Sequence, residues 1–170
     1  MIELRKTLDL VHRLLSDNSI EHALIGGFAM AVYGYHRATS DIDLLADGQS
    51  KNEIKNILTQ NGFKLVFESD EVLQFTGLGF VDILLANRPL SLQMLKQARK
   101  DSGLNIYVIQ PEDIIGLKIQ AYKNDSSREL QDKADIQNLL KLKNLDYSLI
   151  KKYADLFNEW DVIKKLGGLS

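Results

Sequence analysis

The chain has 170 residues, no cysteine and a formal net charge of −2. That length suits one domain with a buried core, and the near-neutral charge leaves no broad electrostatic footprint for nucleic acid. The missing cysteines exclude disulfides, thiolate zinc sites, iron–sulfur clusters and cysteine nucleophiles.

Leu4, Leu8, Val11 and Leu15 recur at helical spacing and predict an amphipathic opening helix, ended by Asp17-Asn18-Ser19. His22–Ile25 reads as a short buried strand running into Gly26-Gly27. Phe28–Tyr33 predicts a compact apolar helix with Gly34 as its C-cap, and Thr39-Ser40 leads into a strand over Asp41–Ala46. Lys51–Asn61 predicts a helix closed by Gly62, followed by strands at Phe63–Glu68, Val72–Thr76 and Phe80–Ala86. Leu90–Arg99 reads as helical and Ile106–Ile109 as a strand. A helix then starts at Pro111, where proline and the acids Glu112 and Asp113 suit a first turn, and runs to about Lys123. Arg128 to about Leu142 and Tyr147–Lys165 complete a helical C-terminal portion. This mixed order predicts an α+β (α/β mixed) domain. Its core spans residues 1–125, with a helical extension over 126–170 packed on the same domain.

Asp41 and Asp43 carry the chemistry. Two apart on a strand, their side chains point the same way and converge on one point. Carboxylates held that close repel unless a cation lies between them, and hard divalent ions take such oxygen ligands. A glycine turn beside the pair lets a phosphate chain approach backbone N–H groups, although Gly26-Gly27 equally suits a tight strand-to-helix connection. Asp82 interrupts the apolar strand Phe80–Leu85, where a carboxylate needs a metal, a hydrogen bond or a cationic partner. If its strand lies beside that of Asp41 and Asp43, the three acids form one metal–nucleotide site.

Gly26-Gly27, the run Arg37-Ala38-Thr39-Ser40-Asp41-Ile42-Asp43-Leu44 and the later Asp82 resemble the nucleotidyltransferase superfamily, of polymerase-beta-like fold. Within it they are most similar to the AbiEii-like toxin and minimal nucleotidyltransferase branches. The resemblance implies a mixed sheet flanked by helices. It also implies transfer of NMP from an NTP to a hydroxyl on RNA, protein or a small molecule, releasing pyrophosphate. Asp41, Asp43 and Asp82 would be catalytic and would bind Mg²⁺, with Mn²⁺ as a substitute. Gly26, Gly27, Arg37, Thr39, Ser40 and Lys118 would hold the nucleotide. Asp113–Lys118 looks like the family's helix that offers a lysine to the nucleotide, and Asp132–Ile136 is similar to its acidic helical motif. A cognate antitoxin is an implied partner. Gly27 stands where many members have serine, and the short C-terminal portion favours a small or protein-borne acceptor. An antibiotic-type small-molecule transferase and a non-catalytic nucleotide-binding module are the rival readings.

Read without the resemblance, Lys118 suits an ordinary solvated helical lysine as well as it suits a nucleotide contact. Arg37, just ahead of the strand, suits either a phosphate contact or a surface position, and an Arg128–Asp132 ion pair at i, i+4 accounts for Asp132. His12, His22 and His36 show no metal-ligand spacing and receive no role. Tyr153, Leu156, Phe157 and Trp160 predict C-terminal core packing or an oligomer contact. No apolar run reaches the ~20 residues that span a bilayer. The charged N-terminus lacks the apolar core of a signal peptide, so no membrane association and a cytoplasmic location are expected.

Overall fold

The computed structural model describes residues 2–169. Two compact units divide the chain, one of residues 1–32 and 36–109, the other of residues 33–35 and 110–170.

The first unit is built on a seven-stranded mixed sheet. Its strands are β1 (His22–Leu24), β2 (Asp41–Asp47), β3 (Lys64–Glu68), β4 (Val72–Thr76), β5 (Phe80–Ala86), β6 (Arg99–Lys100) and β7 (Tyr107–Val108). They lie in the order β3-β4-β5-β2-β1-β7-β6. The β2–β5 and β1–β7 pairs are parallel and the others antiparallel. Four helices belong to this unit: α1 (Ile2–Asp17), α2 (Gly26–Val32), α3 (Lys51–Gln60) and α4 (Pro89–Gln97). The mixed sheet flanked by helices is the α+β architecture expected from the sequence.

One sheet face carries Ile42 and Leu44 of β2, Val81 and Ile83 of β5, and Leu73 and Phe75 of β4, none more than 1% exposed. Each such side chain contributes roughly 1.5–3 kcal/mol by leaving water. At the start of β2 burial alternates, leaving Asp41 and Asp43 half-buried between apolar neighbours, whereas Leu44, Leu45 and Ala46 are all buried. The helix α4, which packs on β2 and β5, accounts for burial on both faces at that end. The site therefore sits where the sheet begins to open.

Local differences from the sequence reading have simple causes. α2 starts at Gly26 rather than Phe28, because Gly26 takes a positive φ of 63° that turns the chain directly out of β1. Arg99 lies in the short hairpin strand β6 rather than at the end of α4, which stops at Gln97. Its cap, Ala98, is extended at ψ 142° and leads straight into pairing with β7.

In the second unit α5 (Pro111–Asn124), α6 (Glu129–Leu139), α7 (Tyr147–Asp155) and α8 (Trp160–Gly167) form a helical bundle, with a 3₁₀ turn over Ser126–Arg128 before α6. The single helical region expected over Tyr147–Lys165 is two helices. Asn158, at φ 56°, breaks it, and the Glu159 carboxylate is drawn back to Tyr122 and Lys123 of α5, each at 2.8 Å. Tyr153 is buried in the core, but Leu156 is 61% exposed. Part of the aromatic and apolar group expected to pack there therefore faces solvent.

Candidate active site

β2 and β5 run side by side in register, with Asp41 opposite Phe80 and Asp43 opposite Asp82. Neighbouring strands are about 4.8 Å apart and alternate residues share a face, so the three acids converge. One carboxylate oxygen from each lies within 4.8 Å of the other two, and all three residues are half-buried.

The row continues across the sheet. Gln74 of β4 stands opposite Asp82, and its Nε2 donates to Asp82 Oδ2 at 3.1 Å. Phe67 of β3 stands opposite Gln74. Phe67 and Phe80 are 51% and 60% exposed, so an open face with two aromatic rings adjoins the acids. The sequence reading passed over Gln74. Its one signal was a polar side chain in mid-strand, between the core residues Leu73 and Phe75.

Two glycines let the turn after β1 come close. A Cβ on Gly26 would lie 2.0 Å from Asp43 Oδ2, and one on Gly27 would lie 2.8 Å from Thr39 Oγ1. Either side chain would displace a residue of the site. The Ile25 amide also donates to the Asp43 carbonyl at 3.0 Å, tying the turn to β2. Thr39 Oγ1 donates to Asp41 Oδ1 at 2.9 Å and so orients the first acid. Glycine is thus needed at both positions for close packing, whether or not phosphate comes there. Arg37 is half-buried and donates to the Ala38 carbonyl at 3.0 Å, while Ser40 is exposed.

Lys118 belongs to the second unit. It is 6% exposed, not solvated as an ordinary helical lysine. Its Nζ lies 2.9 Å from Asp132 Oδ1 and 2.5 Å from Asp135 Oδ2. Arg128 adds the i, i+4 pair with Asp132 at 3.2 Å. The second unit thus joins Lys118 and the acidic helical motif in one buried ionic cluster, of which the helix-surface reading found only the Arg128 arm.

Three carboxylate oxygens at this separation are a donor set that suits a hard divalent cation, whose ligands sit at about 2.0–2.6 Å. Thr39 donates to Asp41 and Gln74 to Asp82, but neutral donors do not cancel the mutual repulsion of three acids on one half-buried patch, which a cation would. The residues present therefore fit a metal.

A family model described as aminoglycoside-2''-adenylyltransferase matches residues 7–82, the segment that supplies every acid of the site. Among solved structures, a nucleotidyltransferase-like protein from Paracoccidioides brasiliensis aligns with 19% identity and a TM-score of 0.62. That alignment covers 100% of this chain and 94% of the other. The antibiotic-resistance factor ANT(2'')-Ia aligns with 16% identity and a TM-score of 0.58, covering 95% and 88%. The lincosamide antibiotic adenylyltransferase LnuA, bound to lincomycin, aligns with 19% identity and a TM-score of 0.57, covering 83% and 96%. Comparison with curated protein sequences found no match. The chain has the nucleotidyltransferase fold, and the resemblance to that superfamily holds. These matches do not single out its AbiEii-like branch.

Proposed function

We propose that this chain is a divalent-metal-dependent nucleotidyltransferase that moves an NMP from an NTP to the hydroxyl of a small molecule. The observation that carries the reading is the convergence of Asp41, Asp43 and Asp82 on adjacent parallel strands. Asp41, Asp43 and Asp82 would hold the cation, Mg²⁺ or Mn²⁺. When bound it would neutralise the triphosphate and the charge that develops on transfer.

The remaining work falls to the chain. Thr39 and the Gly26 turn fix Asp41 and Asp43, and Gln74 fixes Asp82 from the acceptor side. The acceptor hydroxyl approaches over Asp82, whose carboxylate takes its proton. The acceptor oxygen bonds to the α-phosphorus as the bond from that phosphorus to the bridging oxygen breaks, and pyrophosphate leaves with the electron pair. The body of the acceptor lies across Gln74 towards Phe67 and Phe80, whose exposed rings offer apolar contact. Gly26, Gly27, Arg37, Thr39 and Ser40 flank the nucleotide side. Lys118 is assigned to its ionic cluster first.

The family match and the fold likeness to antibiotic adenylyltransferases support a small acceptor over a macromolecule. The test is pyrophosphate release from each NTP with Mg²⁺, with antibiotic acceptors including tobramycin and lincomycin, and with cell extract. Transfer abolished by EDTA and by Asp41→Asn is expected. Label arriving on RNA or protein would move the acceptor to the toxin-like class and make an antitoxin partner the next question. Binding of NTP with no transfer to any acceptor would refute the enzyme and leave a nucleotide-binding module. Among the described residues no helix is long and apolar enough to cross a membrane.

A further inference from the structure

The open face beside the acids continues past Gln74 to the edge of the sheet, where the register of β3 shapes it. β3 pairs with β4 at Lys64–Thr76 and Leu65–Phe75, then slips, so that Phe67 stands opposite Gln74 and Glu68 opposite Leu73. Leu73 and Phe75 belong to the buried core face. Leu65 and Glu68 therefore lie on the core side, and Phe67 lies on the open side with Gln74. Strict alternation from Leu65 would have put Phe67 on the core side. Val66 and Phe67 together oppose the single residue Gln74, a bulge that re-aims a side chain.

The result is an apolar platform at a fixed reach from the acids. Two strand spacings separate β3 from β5, which puts Phe67 about 10 Å from the strand of Asp82. Val66 is 62% exposed beside it. Phe80, also exposed, stands two residues before Asp82 on β5 and so on the same face. Single exposed apolar residues are ordinary, but three grouped beside a row of acids mark a contact surface.

Charge narrows what can lie there. Apart from Asp41, Asp43 and Asp82, the carboxylates of these strands and their turns are engaged elsewhere. Glu68 is drawn to Lys51 and Lys55 of α3, at 3.3 and 3.1 Å. In the turn between β3 and β4, Asp70 lies 3.6 Å from Lys51, and Glu71 pairs with Arg88. Asp47 accepts from the Gln49 amide at 3.0 Å and caps the turn after β2. Lys64, opposite Thr76 and thus on the open side, is exposed and has no ion-pair partner among the described residues. With the three acids committed to a divalent ion, the platform offers an ammonium group no anion and one cation to repel it.

We propose that the acceptor is a hydroxyl compound with an uncharged apolar arm, alkyl or aryl, and that polycations are poor acceptors. The arm lies on Val66, Phe67 and Phe80, about 10 Å from the reacting hydroxyl. The inference rests on the nucleotidyl-transfer reading, because Asp82 fixes where the hydroxyl goes. Val66 and Phe67 set specificity by removing the arm from water, which needs no directional partner. The Gly26 turn lies on the other flank of β2, towards β1, so the platform falls to the acceptor rather than to the NTP.

The test titrates the full chain, with Mg²⁺ and a non-hydrolysable ATP analogue, with methyl, butyl and hexyl glucosides below micelle-forming concentration. Affinity should rise about twofold per added CH₂, as for a chain half removed from water. Phe67→Thr with Val66→Thr keeps strand propensity; it should flatten that gradient without lowering Tm or the affinity for the ATP analogue. Phe67→Leu should preserve the gradient. Tobramycin, a polycation, should bind about tenfold or more weakly than hexyl glucoside, and Lys64→Glu should narrow the gap. A flat gradient in the unmodified chain, or tobramycin bound as tightly as hexyl glucoside, would overturn the proposal. So would loss of ATP-analogue affinity in the double variant, or a dimer that the double variant dissociates, which would assign the platform to the nucleotide or to a second copy. Pyrophosphate release from each NTP is measured with the same compounds. Release without a chain-length gradient would overturn the inference and keep the transfer reading. A gradient with no release from any NTP would refute the transferase, and with it the platform's acceptor role.

Discussion

Replacing Gly26 with alanine tests whether the glycine turn exists to seat Asp43. The added Cβ would lie 2.0 Å from Asp43 Oδ2, and ordinary carbon–oxygen contact begins near about 3.4 Å. Turn and carboxylate must therefore separate by more than 1 Å. Alanine must also hold φ near +63°, which costs about 1–2 kcal/mol. For a chain of this size that lowers Tm by about 2–8 °C, a modest loss. The functional loss should be far larger, because a 1 Å misplacement in such a site costs about a hundredfold in rate. Steady-state NMP transfer, a thermal melt by circular dichroism and NTP affinity measured without turnover separate the two effects. We expect a hundredfold fall in kcat with the fold intact at 25 °C. A variant with wild-type kcat would refute the idea that Asp43 depends on the Gly26 backbone. A variant that loses only NTP affinity would show phosphate seating to be the turn's role.

Three further outcomes follow from the same geometry. Lys118→Met leaves Asp132 and Asp135 buried without their shared cation and should destabilise the protein by about 3–5 kcal/mol; adding Asp132→Asn and Asp135→Asn should recover most of it in urea melts. Recovery of stability without recovery of transfer would give Lys118 a role beyond its ion pairs. Gln74→Leu removes the donor to Asp82 and should cut transfer by about 10–100-fold with little change in Tm, whereas an unchanged rate would show that Asp82 needs no orientation from β4. Asp113 is wholly buried, with Oδ2 unpartnered among the described residues. Burial pushes its carboxyl up, Glu112 adds to this, and the hydrogen bond from Tyr153 at 2.5 Å pulls the other way. A raised folded-state value means that the contribution is complete below the unfolded carboxyl range and is lost as pH rises through the folded value. Asp113→Asn should therefore gain on the wild type as pH rises from the unfolded carboxyl range, about pH 4, to pH 8 in urea denaturation, and an equal difference at both ends would contradict this assignment.

The acids of the site were legible because charge inside an apolar strand is rare and costly, and Asp41, Asp43 and Asp82 each break such a run. Gln74 was not, since a neutral amide in an alternating strand resembles any solvent-facing residue until its strand is placed beside β5. Lys118 shows the opposite difficulty. On the helix alone it suits a solvated side chain as well as a nucleotide contact, and only the packing of α6 against α5 supplies the two carboxylates that make its burial possible.

Periodicity and residue chemistry by themselves determined most of the elements, the mixed class of fold and the three acids, since these depend on neighbours a few positions away. Only the tertiary structure decided that β2 and β5 lie parallel in register, that the Gly26 turn rests on Asp43, and that a bulge in β3 turns Phe67 onto the face of Asp82. The reason is physical: a carboxylate or a lysine takes its role from the charges and donors within a few ångströms, and strand order and helix packing bring those from distant parts of the chain.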